Sequence, residues 1–288
     1  MYYKAINYWV LGGFGGEKSP QQAIDDTARL GLDGLELTFG DVVKENISRK
    51  ECADIKAYAK EKKVGLKTMA SGAYWNMSLG SPDRAERQKA VDFTRAYLEA
   101  AAAIGARTIL VVPGAVDVGW DAGRPIVPYD DVWKISTASI KSLLPLAKRL
   151  KVDIALENVW NKFLLSPMEM KFYVDQFKSS SVGVYLDVGN MLINGYPEHW
   201  LDILGKRVKA VHIKNYSRSD AGGGLHGFGD SLKTGDANYP AIKAALGRIK
   251  YKGALTVEMI PFCRLPDLVL PDMPLAEKVA GEIKELFN

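Results

Sequence analysis

Eight short apolar runs of strand length recur along the chain, and amphipathic stretches with helical spacing separate them. The runs begin at Tyr3 (YKAINYWV), Gly34 (GLELTF), Gly65 (GLKTMASG), Thr108 (TILVVPG), Asp153 (DIALENVW), Val182 (VGVYLDVGN), Val208 (VKAVHIKNY) and Ala254 (ALTVEMI). Successive starts lie 26 to 46 residues apart, which leaves room for a strand, a helix and two loops each time. Ser19-Pro20 reads as a helix cap followed by proline in the first turn, and Gly31 and Gly105 read as helix stops. Strict alternation of strand and helix calls for a parallel sheet. Eight such units in 288 residues fit a closed barrel. An open doubly wound sheet is the rival, but no GxGxxG follows the first run and no midpoint break separates two halves. The expected fold is therefore α/β, a single (β/α)8 TIM barrel forming one domain over residues 1–288.

Composition narrows the partners. Charged residues make up 25% of the chain, apolar ones 47%, and the formal net charge is +4. Lysine and arginine alternate with acidic residues, as in KAYAKEKK, so there is no basic stripe and no nucleic-acid partner is expected. The two cysteines, Cys52 in a helical stretch and Cys263 in a loop, form no CxxC pair. A disulfide framework or zinc ribbon is excluded, and free thiols in a reducing compartment are expected. No apolar run reaches the ~18 residues of a membrane span, so no membrane partner is expected. The opening MYYKAINYWVLGG reads as a first strand rather than a signal peptide, which makes the expected location cytoplasmic.

The chemistry concentrates in the second half of the chain. Four consecutive strands each place one metal-capable side chain near the C-terminal end: Glu157, Asp187, His212 and Glu258. Parity puts Ala155 on the face of Glu157, Ala210 on that of His212 and Thr256 on that of Glu258. Small residues suit the barrel interior, and a charged group facing the apolar helices would be buried at high cost. The four polar groups should therefore converge on the barrel axis. Three carboxylates brought together repel one another, and one divalent cation relieves this. Carboxylates with a single imidazole favour Mn²⁺ most, with Mg²⁺, Co²⁺ or Zn²⁺ as alternatives. Two long segments, after the fourth and seventh runs, belong to the same catalytic face. The second carries Arg218, His226 and the cluster Gly222 to Gly224, whose flexibility alone explains it. Glu36 points inward by parity and reads as a buried structural ion pair. Trp9, Tyr74, Trp75, Trp120 and Trp160 fall near strand ends, where they are either walls of a ligand site or ordinary core.

The segments LENVWNKFLLSP, YLDVGN, VHIKNY and LTVEM resemble the sugar isomerase/epimerase superfamily of xylose-isomerase-like barrels. That group includes ketose and ketose-phosphate 3-epimerases, hydroxypyruvate isomerases, inosose dehydratases and endonuclease IV. The resemblance implies that Glu157, Asp187, His212 and Glu258 bind one metal and that Glu157 and Glu258 also exchange protons. It assigns Arg218, six residues after the histidine, to substrate. Asp187-x-Gly189-Asn190 and His212-x-Lys214 look closer to ketose-phosphate 3-epimerases, whereas free-ketose epimerases usually carry a histidine at the position of Asn190 and a glutamate at that of Phe163. Asn190, Lys214, Arg218, Trp160 and His226 are the expected substrate contacts. Endonuclease IV is set aside because its three-metal cluster demands more histidines than the three present.

The implied activity is metal-dependent 3-epimerisation of a ketose or ketose phosphate, by two-glutamate proton transfer through a metal-stabilised enediolate. An aldose–ketose isomerase of the hydroxypyruvate type, or an inosose-type dehydratase, would use the same site. A non-catalytic sugar-binding barrel would have no need of paired carboxylates on a metal. The expected partners are a small sugar or sugar phosphate and further copies of the chain, as a dimer or tetramer.

Overall fold

The computed structural model describes residues 1–11, 13–119, 121, 123–221, 225–260 and 271–288. Trp120, Gly222 to Gly224 and Cys263, singled out above, lie outside them. Eight strands run in chain order: β1 Tyr3–Asn7, β2 Gly34–Thr38, β3 Thr68–Ala70, β4 Thr108–Val111, β5 Asp153–Glu157, β6 Val182–Asp187, β7 Val208–Ile213 and β8 Ala254–Val257. All neighbours pair in parallel, and β1 also pairs with β8, so the sheet closes into a barrel. The helices are α1 Pro20–Arg29, α2 Arg49–Glu61, α3 Arg84–Ile104, α4 Tyr129–Leu150, α5 Pro167–Asp175, α6 Pro197–Leu204, α7 Arg218–Ala221, α8 Tyr239–Arg248 and α9 Met273–Leu286. The expected (β/α)8 TIM barrel is thus formed. The one addition among the described residues is the four-residue α7, inside the long segment after β7.

Local signals account for where the helices begin. Ser19, Ser48 and Ser166 each accept from the backbone N–H three residues on. The Gln22, Glu51 and Glu169 side chains reach back to the serine N–H. These reciprocal caps satisfy donors that the first turn leaves free. α3 stops at Gly105, whose φ of +105° is a left-handed geometry that glycine adopts without strain.

The strands are shorter than the apolar runs that announced them. Tyr8–Leu11 is a 3₁₀ turn because the Asn7 side chain accepts the Trp9 N–H at 2.8 Å, a local turn that competes with the ladder. Every residue of β2, β4, β6 and β8 is buried, since one face packs inside the barrel and the other under the helices. No helix among the described residues is long and apolar enough to cross a membrane.

Leu156 alternates with Ala155 and Glu157 and points from β5 toward the helical layer, fully buried. Leu156→Ala should cost about 2–5 kcal/mol, read as a lower urea midpoint by circular dichroism. Ile126, before α4, is mostly exposed, and Ile126→Ser should leave that midpoint within about 0.5 kcal/mol of its starting value.

Candidate metal centre and substrate cavity

Strand register brings the four expected ligands to one depth. Asp187 pairs with His212, which in turn pairs with Thr256. Glu157 ends β5, and Glu258 stands one residue beyond β8. One ligand atom from each of Glu157, Asp187, His212 and Glu258 lies within 4.8 Å of all the others. His212 Nδ1 stands 3.8 Å from Glu157 Oε1, 3.7 Å from Asp187 Oδ2 and 3.5 Å from Glu258 Oε2. Ligands ~2.1 Å from a common ion sit roughly 3–4 Å apart, so small closures would complete a coordination sphere. His212 Nδ1 is buried and makes no hydrogen bond, and Asp187 Oδ2, buried beside it, is met by the Lys214 ammonium 3.1 Å away. Buried polar atoms are nearly always satisfied, and a cation at the centre of the four would satisfy the imidazole nitrogen. The cluster could hold one metal ion.

The remaining nitrogen of the histidine is fixed from behind. His212 Nε2 lies 2.6 Å from Glu36 Oε1, which also accepts from Asn7 Nδ2 at 2.8 Å. Tyr185 donates to the other Glu36 oxygen. Glu36 is fully buried, and its pairing is with the imidazole. A carboxylate on Nε2 holds that nitrogen protonated and aims the Nδ1 lone pair at the cluster, the usual arrangement behind a metal-binding histidine. Sequence parity placed Glu36 inside but gave no sign of its partner, which is 176 residues away.

Two loops hold the acidic residues of the cluster. Asn158 and Asp187 exchange side-chain and backbone hydrogen bonds at 2.8 and 2.9 Å. The Asn190 N–H donates to Asp187 Oδ1 at 2.8 Å, and Asn190 Nδ2 donates to the Asn158 carbonyl at 3.2 Å and to Glu157 Oε1 at 3.4 Å. Lys214 is buried, with Nζ 3.1 Å from Asp187 Oδ2 and 2.5 Å from Glu258 Oε2. Its stem runs against Gly189, where a Cβ would come within 2.8 Å of Lys214 Cγ. The glycine of YLDVGN therefore makes room for the lysine two residues after His212.

Burial and like charge set the protonation of the cluster. The Glu157 carboxyl is pushed up to about 7, first by burial and then by Glu258 and Asp187, against His212. Burial also opposes ionisation of Asp187, but Lys214 and His212 outweigh it and hold that carboxyl below its ordinary value. Burial disfavours a charged His212, yet Glu258 and Glu36 raise it well above an ordinary imidazole. Without a divalent ion, protons and Lys214 thus supply the positive charge that three buried carboxylates need.

A cavity of about 410 Å³ opens onto the cluster. Glu157 and Glu258 line it, while Asp187 and His212 do not. Asn190, Lys214 and Trp160 are also in its wall. Trp160 Nε1 donates to the Asn190 carbonyl at 3.0 Å. Trp9 and Trp75 line the opposite part, together with Phe14, Asp41 and Ser71, which sequence reasoning passed over. These three sit in loops after β1, β2 and β3, where no periodicity marks a side chain's direction. Tyr74 is packed in the core and bonded to Thr94. Arg218 and His226 are not in the cavity wall. Arg218 is part-exposed, 3.3 Å from Asp236, and its guanidinium lies over Tyr196. His226 is exposed in a 3₁₀ turn.

A parallel barrel with an acid-and-histidine cluster at the C-terminal mouth belongs to the class that works on small molecules at that face. The chain belongs to the xylose isomerase-like TIM barrel family, whose model matches residues 24–281. No curated protein matches it. Among solved structures it is similar to a D-psicose 3-epimerase crystallised in the presence of D-fructose, at 20% identity and TM-score 0.77, over 99% of this chain and 94% of the other. It is also similar to an L-ribulose 3-epimerase, at 18% identity and TM-score 0.78, over 99% and 94%. A third is the 3-keto-D-glucoside 4-epimerase from E. coli, at 16% identity and TM-score 0.75, over 99% of both chains.

Two outcomes test the centre. A metal ligand needs the Nδ1 lone pair, so cation binding should expel protons from His212 and Glu157 and grow tighter as pH rises. Calorimetry of Mn²⁺ binding in buffers of different ionisation enthalpy should count at least one proton released at about pH 6, and zero would contradict the assignment. Glu36→Gln should weaken Mn²⁺ binding about 10–100-fold with the folded far-UV spectrum retained.

Proposed function

We propose that this protein is a metal-dependent sugar epimerase that inverts the carbon beside a ketone, C3 of a 2-ketose being the first case to test. One observation carries the reading: of the four cluster residues, only the two glutamates reach the cavity. Asp187 and His212 are fully buried and fit a purely ligating role, whereas Glu157 and Glu258 can touch both a cation and a substrate. The named activities of the similar structures agree, since C3 of a 2-ketose and C4 of a 3-keto-glucoside each adjoin a carbonyl.

When bound, the divalent cation, Mn²⁺ in our reading, supplies a Lewis acid for the negative charge that proton removal leaves on oxygen. Glu157 Oε1 and Glu258 Oε2 are the oxygens that face His212, which leaves the second oxygen of each carboxylate for a proton. β5 and β8 are separated by two strands, so the glutamates reach a substrate between them from different sides. One takes the proton from the carbon, and the other, protonated at the start of the cycle, delivers one to the opposite face. Exchange with solvent then resets both. Asn190 orients Glu157, and Lys214 contacts Asp187 and Glu258 and lies within reach of a substrate oxygen. Trp160 walls the site. Arg218 and His226 would contact substrate only if the segment after β7 moved inward. In this reading residues 1–288 act as one barrel unit, and self-association, to be measured by light scattering, draws support from exposed Leu165, Met168 and Phe172.

The test is deuterium incorporation from D₂O into candidate ketoses and ketose phosphates, read by NMR with Mn²⁺ present during reaction. Label at C3 with inversion is expected. Label confined to C1 or C2 would point instead to an aldose–ketose isomerase. Glu157→Gln and Glu258→Gln should each lower epimerisation about 10²–10⁴-fold while keeping much of the Mn²⁺ affinity, whereas Asp187→Asn should lose metal first. Full activity in either glutamine variant at saturating Mn²⁺ would falsify the two-base scheme.

A further inference from the structure

Along the chain, lysine and arginine alternate with acidic residues, but the closed barrel sorts them. Seven turns join a helix to the following strand: residues 30–33, 62–67, 105–107, 151–152, 176–181, 205–207 and 249–253. All lie on the N-terminal face of the barrel, opposite the mouth. Together they hold ten lysines and arginines and one acid, Asp33. The segments that lead from each strand end to the next barrel helix, α7 included, hold twelve acids and eight lysines and arginines. A chain of net charge +4 thus carries a strongly basic face beneath a mildly acidic mouth.

Most of that charge is uncompensated. Lys62 pairs with Asp25 and Arg207 with Asp175. The other eight cations of the turns are exposed, and none makes an ion pair among the described residues. Acids on the adjoining elements are matched by other cations, Asp153 by Lys209 and Asp202 by Arg248. A cation after a helix is favoured by the C-terminal dipole, which explains a bias toward lysine but not its backbone positions. One residue in each turn takes a left-handed φ. Gly31, Gly105 and Gly205 do so in three turns, and Lys63, Lys151, Lys178 and Lys250 in the other four, at 59°, 57°, 46° and 54°. Glycine holds that geometry without strain and lysine does not. These four turns therefore keep an ammonium group where the backbone favours glycine.

The partner that fits such a face is a sheet of negative charge. The apolar residues of the turns point inward, and Leu30, Leu32, Val64, Leu66, Phe177 and Tyr251 are all buried. These turns offer no exposed aromatic ring for a nucleic-acid base to stack on. The contact is then electrostatic. Cations spread over six turns engage a plane of phosphates all at once, whereas a duplex would touch only a strip of the face. We infer that the N-terminal face of the barrel docks on the headgroups of an anionic lipid bilayer. No helix among the described residues is long and apolar enough to cross a membrane, and a contact of this kind requires none. The mouth faces away from the lipid, which leaves the cavity open to a substrate in solution. The inference is independent of the epimerase reading, since it uses no residue of the cluster or the cavity.

Co-sedimentation of the full chain with vesicles tests this. Vesicles of phosphatidylserine and phosphatidylcholine in about a 3:7 ratio are compared with phosphatidylcholine alone. The protein should pellet with the first only, and raising NaCl from about 0.05 M to about 0.5 M should release it. The combined variant Lys63→Gly, Lys151→Gly, Lys178→Gly and Lys250→Gly removes four ammonium groups and four strained turns. Its melting temperature should not fall, and its vesicle affinity should drop at least about tenfold. A second variant, Lys206→Gln with Lys252→Gln, leaves the left-handed positions alone and should weaken binding at least about threefold. The control combines Lys44→Gln, Lys50→Gln, Lys89→Gln and Lys134→Gln. These exposed lysines lie in the loop after β2 and the mouth-side halves of α2, α3 and α4. The control lowers net charge as much as the glycine variant and should bind vesicles within about twofold of the parent. No pelleting with phosphatidylserine, equal losses in the glycine variant and the control, or tighter binding to duplex DNA or single-stranded RNA at the same salt would overturn the inference.

Discussion

Three carboxylates and one imidazole, buried within contact distance of one another, set the terms for the rest of the molecule. Such a group is stable only with positive charge among it. The chain provides that charge in graded form: a proton on His212, a share of a proton on Glu157, and the ammonium of Lys214 laid across Asp187 and Glu258. A divalent ion at the centre would displace the protons and leave Lys214 in place. The barrel is well suited to impose this crowding, because a closed sheet fixes eight strand ends on one rim and its register cannot relax one strand at a time.

The second layer beneath the cluster follows from the same constraint. Glu36, from β2, crosses the barrel to His212, and Asn7 and Tyr185 complete its shell. Burying a further carboxylate beneath an acidic site would be unfavourable alone. It becomes favourable because the imidazole N–H, an amide and a phenol all donate to it. The result is a histidine whose orientation is fixed by its own shell and whose second nitrogen faces the three carboxylates.

The cavity above is polar only in part. Glu157, Glu258, Lys214 and Asn190 bring charge and polarity from β5–β8, while Trp160, Phe228 and Ile260 from the same half and Trp9, Phe14 and Trp75 from the other bring apolar surface. Those large apolar side chains exclude water from the carboxylates and strengthen every charge interaction near them.

The alternation of runs and helices determined the barrel, because period-2 and period-3.6 patterning over eight repeats leaves few other parallel architectures. Parity along four strands likewise determined that Glu157, Asp187, His212 and Glu258 face one axis, since a charged side chain on the helical face would be unsatisfied. Cap serines and stop glycines fixed helix ends for the same local reason. Tertiary structure alone decided the rest. That Glu36 belongs to His212, that Gly189 clears a path for Lys214, and that Lys214 bridges two carboxylates all depend on strands brought together across the barrel. Arg218, expected from the family resemblance, and His226, from its loop, sit outside the cavity, while Phe14, Asp41 and Ser71 line it. A loop residue's direction is set by the packing of its whole segment, and no periodic pattern in the sequence encodes that.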